Sequence, residues 1–180
     1  MKTLIFCLII STTIMAQNQF IYNFEINSNL KDWKIVNDGV MGGLSESSIQ
    51  LNEKGNAFFS GEISLENNGG FASIRHQTEI ENVQNYQYVN LKVKGEPSTY
   101  QFRIKKNKAE EVHSYVKEFK VTSEWKTVRL KLSDFYPKYR GRSLNLPNFN
   151  ADIIQEIAIL IGNKRVEKFQ IEIDKIYLSK

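Results

Sequence analysis

Strict alternation of apolar and polar residues is the feature that most limits what this chain can fold into. In residues 88–95, YVNLKVKG, the apolar side chains Val89, Leu91 and Val93 fall on one face of an extended strand. The same period of two recurs in FIYNFEI, NAFFSGEISLE, FASIRHQTEI, TYQFRIKK, VHSYVKEFKV, WKTVRLKL and KFQIEIDKIYL. Only NFNADIIQE, residues 148–156, indicates a short helical turn. With polar turns and three prolines, the pattern predicts an all-β, antiparallel β-sandwich.

Two late segments sharpen this prediction towards a jelly roll. SEWKTVRLKLSDF (123–135) and FQIEIDKIYL (169–178) look like the paired late strands of galactose-binding-like jelly rolls, the scaffold of many carbohydrate-binding modules. EIAILIG (156–162) is apolar at nearly every position, so we expect a central strand covered on both faces. An immunoglobulin-type sandwich fits less well, since its usual cysteines are missing.

The N-terminus has the layout of a secretory signal peptide. Lys2 precedes an apolar stretch at residues 4–10, and Ala16 supplies a small residue at the expected cleavage point, although Ile14 is larger than usual for such a site. The apolar run is too short to cross a bilayer, which needs about 20 helical residues. We therefore expect residues 1–16 to be removed, leaving a single domain at 17–180, periplasmic or secreted, without a membrane span. Cys7, the only cysteine, would leave with the signal, so the mature protein would have no disulfide or thiol chemistry.

Basic residues concentrate in the middle of the chain. Residues 91–131 contain eleven Lys or Arg against five Glu. Those on strands fall at alternate positions and predict one basic, solvated face: Lys92, Lys94, Arg103, Lys105, Arg129 and Lys131. Such a face most often serves solubility, while an anionic partner is the alternative. For an exported protein we do not expect nucleic acid as the partner.

Motifs for catalysis are missing from the sequence. His76 and His113 lie on predicted strands without metal-ligand spacing, and Ser45 is not in a G-x-S-x-G elbow. GVMGG does not match the dinucleotide-binding fingerprint. We therefore predict a protein that is not an enzyme and has no cofactor. Glu25 and Asp174, on the first and last strands, are candidate calcium ligands, but two carboxylates fall short of the six or more oxygens that calcium needs.

Three glycine-containing segments depart from the strand pattern. They are VNDGVMGGLS (36–45), LENNGGFASIR (65–75) and FYPKYRGRS (135–143). Glycine doublets allow positive φ and close backbone approach, and hairpin or bulge turns would explain part of NNGG. Asp38, Arg75, Arg140 and Arg142 accompany these glycines, and we expect Asp38 to meet Arg75 in a bidentate pair.

These segments, in this order, resemble the complex I intermediate-associated protein 30 family. The resemblance spans residues 33–178 and depends on NDGVMGGLS, SGEISLENNGGFASIR, VKGEPSTYQFRIK, EWKTVRLKLSDFYPKYRGR and FQIEIDKIYL. It implies a galactose-binding-like jelly roll and a non-enzymatic role, since mitochondrial members are chaperone-like factors bound to assembly intermediates of respiratory complex I. An exported chain would not meet those intermediates, so the resemblance implies the fold more directly than the process.

Three functions remain open from the sequence. The first is a module binding a cell-envelope protein, with a contact surface that these residues line or brace: Asp38, Gly39, Met41, Gly42, Gly43, Asn68, Gly69, Gly70, Ser73, Arg75, Tyr136, Tyr139, Arg140 and Arg142. The second is carbohydrate binding through exposed rings, for which the candidates are Trp33, Tyr86, Tyr88 and Tyr115, whereas Trp125 is expected in the core. The third is a buried loop lock, made by Asp38, the arginines and the glycines, that binds no ligand.

Overall fold

The computed structural model describes residues 18–107 and 113–180, and the predicted signal peptide at 1–16 lies outside these ranges. The described chain forms two antiparallel sheets. The first sheet has the order β3-β4-β13-β6-β9, with β1 also pairing with β13, and the second has the order β11-β10-β8-β7-β12-β5-β2. The strands are β1 Gln19–Asn23, β2 Trp33–Ile35, β3 Glu46–Leu51, β4 Ala57–Ile63, β5 Ala72–Glu81, β6 Tyr88–Gly95, β7 Ser98–Lys105, β8 Ser114–Val121, β9 Lys126–Lys131, β10 Tyr136–Tyr139, β11 Arg142–Ser143, β12 Ile153–Ile161 and β13 Glu167–Ser179. The predicted all-β jelly-roll sandwich is confirmed.

The core lies between the two sheets and is made by alternate residues of nearly every long strand. Ile159 of β12 is opposite Phe102 of β7 on one side and Ile74 of β5 on the other. All three side chains are fully buried. Phe59, Leu91 and other apolar residues of the first sheet fill the facing layer. The strand-period pattern therefore identified the inward faces correctly at these positions.

The central strand behaves as its sequence predicts. β12 lies between β7 and β5, and its outward-facing Ala158 and Leu160 are also buried, at 4% and 6% exposure. The helical turn predicted for residues 148–156 is wrong. Residues 153–156 already belong to β12, because Ile153 and Ile154 pair with Glu81 and Ile80 of β5. Ladder pairing and core burial outweighed the local helical spacing.

Two predicted strand relationships are also wrong. The late segments in β9 and β13 are not neighbours, since β6 lies between them and pairs with both. NNGG does not close a hairpin, because β4 belongs to the first sheet and β5 to the second. Residues 64–71 instead carry the chain from one sheet to the other. Sequence order does not define which strands pair when sheets are filled by non-consecutive strands.

The predicted single basic face is split between the two sheets. Lys92, Lys94 and Arg129 lie on β6 and β9 of the first sheet, whereas Arg103 and Lys105 lie on β7 of the second. Lys105 is buried, with only 5% of its surface exposed. Alternation along a strand shows which residues share its face, but it does not show which strands share a sheet.

Truncating the centre of this core should be costly. We expect Ile159→Ala to lower the free energy of unfolding by about 2–5 kcal/mol, because it removes buried methyl groups and leaves a cavity. The matched control Val166→Ala alters a side chain that is 63% exposed and should change stability by less than about 0.5 kcal/mol. Urea unfolding of residues 17–180 measures both variants, and equal losses would contradict the assigned core.

Candidate functional site

The segment VNDGVMGGLS folds against the start of β5. The Val36 N–H donates to the carbonyl of Ser73 (2.9 Å), and the Asp38 N–H donates to the carbonyl of Phe71 (3.2 Å). Asp38 then begins a single 3-10 turn, Asp38–Met41, which Gly42 ends. The Asp38 side chain is fully buried at the centre of this arrangement. Its position is therefore set by backbone hydrogen bonds from the residues that lead into the turn.

The buried Asp38 carboxylate binds backbone and hydroxyl donors from two other parts of the chain. Its Oδ1 accepts a hydrogen bond from the Ser45 N–H (2.9 Å). Its Oδ2 accepts from the N–H groups of Gly70 (2.6 Å) and Phe71 (3.2 Å), and from the Ser45 hydroxyl. The side chain thus ties the turn to the start of β3 and to the crossover that enters β5.

The pKa of the Asp38 carboxyl lies below its ordinary value. Burial raises this pKa, but hydrogen bonds from the Ser45 side chain and from the backbone of Gly70, Ser45 and Phe71 together lower it further than burial raises it. Asp38 is consequently ionised at neutral pH, although it is enclosed. Among the described residues its negative charge is stabilised by oriented donors and forms no ion pair.

The glycines around Asp38 make room for the carboxylate. A Cβ on Gly43 would overlap the Asp38 carboxylate, and a Cβ on Gly69 would lie 2.7 Å from its Oδ2. Gly42 has φ of 89°, the left-handed conformation that ends the turn and that glycine adopts without strain. Close packing of Gly43 and Gly69 against Asp38, and the positive φ of Gly42, therefore explain these glycines without a bound phosphate or dinucleotide.

Ser45 extends the network into the crossover. Its hydroxyl donates to Asp38 and accepts a hydrogen bond from the Ser64 N–H (3.0 Å). Nearby, the Ser47 hydroxyl donates to the Asn37 side-chain oxygen (2.8 Å). Gly39, Met41 and Asn68 lie on the same two loops, so the structure brings together the loop residues that the sequence grouped as one site.

The predicted bidentate pair between Asp38 and Arg75 is wrong. Asp38 is occupied by Ser45, Gly70 and Phe71, and Arg75 forms no ion pair within residues 18–107 and 113–180. Ser73 instead connects the loop to β5, since its hydroxyl donates to the Val36 carbonyl (2.6 Å). Arg75 lies farther along β5 and belongs to the outer face of the second sheet.

The third glycine segment lies at the opposite edge of that sheet. Tyr136 and Tyr139 lie on β10, and Arg140 and Arg142 lie in and after the turn that leads to β11. β12, β7 and β8 separate β10 from β5, a distance of about 19 Å at the usual strand spacing. The structure therefore does not bring these four residues to Asp38. The Arg140 guanidinium lies 5.3 Å from the Tyr139 ring centre.

The braced loop presents apolar side chains to solvent. Val40, Met41 and Leu44 are 73%, 65% and 53% exposed. Ile35 and Leu65, on the segments joined to this loop, are also exposed. We call these five residues the apolar loop patch. Exposed apolar side chains concentrated on connected segments are typical of an interaction surface.

Most of the rings considered for sugar binding are not available. Trp33 and Tyr115 are buried in the core, and the Arg129 guanidinium covers Tyr88 at 3.6 Å from the ring centre. Trp125, which was expected in the core, is instead 39% exposed. It packs beside Lys92 and Lys94, whose ammonium groups lie 5.6 and 5.4 Å from its ring centre.

Tyr86 is the candidate ring that lines a cleft. This cleft has a volume of about 410 Å³ and is lined by apolar and amide side chains from three loops. Gln84, Gln87 and Asn150 contribute amides, and Phe149 contributes a buried ring. Tyr86 itself is half-buried and packs partly against the core.

A second recess, which no sequence motif indicated, lies on the outer face of the second sheet. Arg75, Arg103, Glu156 and Ala158 line it. We call it the arginine recess. Arg103 was expected on a solvated basic face and Glu156 in a helical turn. Strand alternation could place Arg75 and Arg103 on outer faces, but only the pairing of β5 and β7 with β12 brings them together.

The candidate calcium ligands and the two histidines have other partners in the described structure. Among the described residues, no group of three or more His, Cys, Asp or Glu is placed to hold a metal ion. Glu25 accepts a hydrogen bond from Asn23 (2.7 Å), and Asp174 pairs with Lys92 (2.7 Å). The His76 Nδ1 lies 3.0 Å from the Asp32 carbonyl oxygen. The His113 ring packs edge-on to Tyr115, and its pKa is lowered by burial and by Lys106.

Comparison with known proteins identifies relatives at the level of family and fold. The model of the family "Complex I intermediate-associated protein 30 (CIA30)" matches residues 22–173. No curated protein sequence matches the chain. No helix in the described part of the chain has the length and apolar character needed to cross a membrane.

Several solved structures similar to the chain are carbohydrate-binding modules. The Family 11 Carbohydrate-Binding Module of the cellulosomal cellulase Lic26A-Cel5E of Clostridium thermocellum is 16% identical with a TM-score of 0.67, over 91% of this chain and 95% of that chain. The same family's module from that organism, in complex with a β-1,3-1,4-mixed-linked tetrasaccharide, is 17% identical with a TM-score of 0.67, covering 91% and 96%. An exo-β-agarase is 8% identical with a TM-score of 0.59, covering 91% and 25%. These TM-scores show a shared fold, and at such low identities they show the fold alone.

Removing the Asp38 charge should destabilise the fold in a pH-dependent way. We expect Asp38→Asn to lower the free energy of unfolding by about 3 kcal/mol at pH 7, because hydrogen bonds to a buried charge are lost or reversed. The folded pKa is lowered, so the unfolded chain takes up the proton first as pH falls. Stabilisation by Asp38 is therefore complete above the ordinary Asp pKa of about 3.9 and is lost as pH falls through the folded value.

Urea unfolding at pH 7 and pH 3 checks this, with Glu66→Gln as the matched control because Glu66 is an exposed carboxylate on the neighbouring loop. The gap between wild type and Asp38→Asn should narrow at pH 3. A gap that stays constant with pH would mean that the Asp38 charge is not what holds the loops.

Alanine should destabilise the fold at one glycine of this loop and leave stability nearly unchanged at another. Gly43→Ala should unfold the loop or cost about 2 kcal/mol or more, because its new methyl group overlaps the Asp38 carboxylate. Gly39→Ala has open space around its Cβ and should change stability by less than about 0.5 kcal/mol. Thermal unfolding of both variants gives the comparison, and similar losses would contradict the proposed reason for Gly43.

Proposed function

Because the chain belongs to the complex I intermediate-associated protein 30 family, we propose that it is a non-catalytic, chaperone-like module that binds a protein partner. The proposed signal peptide makes this partner a protein of the periplasm or the extracellular space. The observation that carries the proposal is the apolar loop patch, which a buried ionic network holds outward. No cofactor is part of the proposed function.

The patch has the properties that a protein contact requires. Val40 and Met41 are at the tip of the 3-10 turn, and Leu44 lies just before β3. Exposing these side chains to water in an isolated protein is unfavourable, at roughly 25 cal/mol for each Å² of apolar surface. A partner with an apolar surface would recover this energy. Met41 adds an adaptable side chain that fits surfaces of different shape.

The Asp38 network gives this loop a fixed shape before it binds. Hydrogen bonds from Ser45, Gly70 and Phe71 fix both ends of the turn, so little conformational entropy remains to be lost on association. In this proposal Asp38 and the surrounding glycines brace the contact surface. Met41 and its apolar neighbours form it. The distant hairpin with Tyr139, Arg140 and Arg142 is not part of this surface.

The test uses capture by residues 17–180 from a cell-envelope extract, read by quantitative mass spectrometry. Val40→Ser/Met41→Ser removes the apolar tip and leaves Asp38 in place. Val166→Ser is the matched control, since it removes a similarly exposed apolar side chain elsewhere. We expect one protein to be retained by wild type and the control, and reduced at least about tenfold by the loop variant. Equal retention by all three would show that the patch is not the contact surface.

Carbohydrate binding is the alternative, and the Tyr86 cleft favours it. A half-buried ring beside Gln84, Gln87 and Asn150 could pack against a sugar ring while the amides meet its hydroxyl groups. The fold is shared with a module solved in complex with a mixed-linked tetrasaccharide. That likeness supports the alternative through the fold only, because the identity is low.

Tyr86→Leu tests this alternative while keeping most of the core packing. Titration calorimetry with a β-1,3-1,4-linked tetrasaccharide would show binding by wild type and by Tyr88→Leu, whose ring Arg129 already covers. Binding should fall at least about tenfold in Tyr86→Leu, since stacking contacts of this kind are worth about 1–3 kcal/mol in other aromatic sites. A signal that is missing from wild type, or kept by Tyr86→Leu, would exclude this cleft for that ligand.

A further inference from the structure

Two arginines on the outer face of the second sheet converge across an alanine. Ala158 of β12 is opposite Arg75 of β5 on one side and opposite Arg103 of β7 on the other. At the usual strand spacing the two arginine Cα atoms are about 10 Å apart. Ala158 is small and 4% exposed, so the long side chains stand over it as the walls of the arginine recess.

The guanidinium charges in this recess are not neutralised within the described residues. Arg103 donates to the Gln101 side-chain oxygen (3.2 and 2.8 Å), and neither Arg75 nor Arg103 forms an ion pair there. The Glu156 carboxylate in the recess already faces the buried ammonium of Lys105, at 3.6 Å. Positive side chains therefore outnumber carboxylates in and beside the arginine recess.

The electrostatic environment of Arg103 agrees with this excess. Burial and then the Arg75 charge lower the pKa of Arg103 to about 10, while Tyr136 acts weakly in the opposite direction. Two like charges held together away from water are unfavourable until an anion joins them. The recess itself has a volume of only about 10 Å³, so a carboxylate or sulfate would lie at its mouth and accept hydrogen bonds from both guanidinium groups.

The other groups of the recess suit a ligand rich in hydroxyl groups. Glu156 supplies an acceptor, and Ser114 on β8 supplies both a donor and an acceptor. An acidic peptide can also bind a cluster of arginines, and peptides commonly add backbone hydrogen bonds along an open strand edge. Here β5, β12 and β7 are each paired on both sides, so their backbone groups are already used.

We propose that the arginine recess binds the carboxylate or sulfate group of an acidic polysaccharide. Arg75 and Arg103 hold the anionic group over Ala158, and Glu156 and Ser114 accept and donate hydrogen bonds to neighbouring hydroxyls. The recess shares no lining residue with the apolar loop patch or with the Tyr86 cleft. It therefore succeeds or fails independently of both functions proposed above.

The test measures binding of residues 17–180 to four polymers by affinity electrophoresis. Polygalacturonate carries carboxylates, dextran sulfate carries sulfates, dextran is neutral, and polyglutamate is an acidic polypeptide. Arg75→Gln and Arg103→Gln each remove one guanidinium from the recess. Arg129→Gln is the matched control, because it removes the same charge from the first sheet.

We expect wild type and Arg129→Gln to bind at least one of the two acidic polysaccharides, and neither dextran nor polyglutamate. Tighter binding to polygalacturonate would identify a carboxylate as the recognised group, and tighter binding to dextran sulfate would identify a sulfate. Arg75→Gln and Arg103→Gln should each weaken that binding at least about tenfold. Arg103→Gln should unfold at the same urea concentration as wild type or higher, since it relieves a like-charge contact.

Several results would overturn the proposal. In the first two, wild type binds neither acidic polysaccharide, or Arg129→Gln weakens binding as much as the recess variants do. In the others, the recess variants bind as tightly as wild type, or polyglutamate is the polymer whose binding depends on the arginines. The Val40→Ser/Met41→Ser variant should bind the polysaccharide as wild type does. A protein partner lost by that variant but kept by Arg75→Gln would leave the proposed function intact even if the recess proposal fails.

Discussion

A buried carboxylate held by backbone and hydroxyl donors is the interaction on which this end of the molecule depends. Asp38 accepts hydrogen bonds from Ser45, Gly70 and Phe71, and these donors belong to segments that are far apart in sequence. Oriented N–H groups replace the water that the charge has lost, so the carboxyl stays ionised in an enclosed position. The two sheets are joined here by loops instead of by strand pairing, and the buried charge fixes those loops.

One consequence is that rigidity and exposure occur in the same loop. The polar groups of residues 36–45 turn inward to Asp38 and its neighbours, so Val40, Met41 and Leu44 remain outside. A loop with the same apolar residues and no internal network could fold them onto the sandwich. The outer face of the second sheet shows the opposite arrangement, since there Arg75 and Arg103 are polar groups gathered on a buried floor. The proposed protein contact and the proposed polysaccharide contact thus use different chemistry on different surfaces.

Features that depend on local sequence were predictable, whereas features that depend on strand order were not. Sequence reasoning grouped the glycine segments 36–45, 65–75 and 135–143 into one site, and the structure brings only the first two together, because the third lies at the opposite edge of the second sheet. It chose Arg75 as the partner of Asp38, since a cation is the usual partner of a buried acid. Backbone N–H groups are present at every residue except proline, so no residue type could have revealed Gly70 and Phe71 as the true donors. The signal peptide remains a prediction, because residues 1–16 lie outside the described chain.

By itself, the sequence determined that this protein is an all-β sandwich of the family it resembles, with alternate residues of each strand facing the core. Those properties depend on the period of two, which every strand carries within itself. Only the tertiary structure decided that β4 and β5 belong to different sheets, that Lys105 is buried against Glu156, and that β12 places Arg75 beside Arg103. Which strands become neighbours is settled by packing two whole sheets together, and no single strand contains that information.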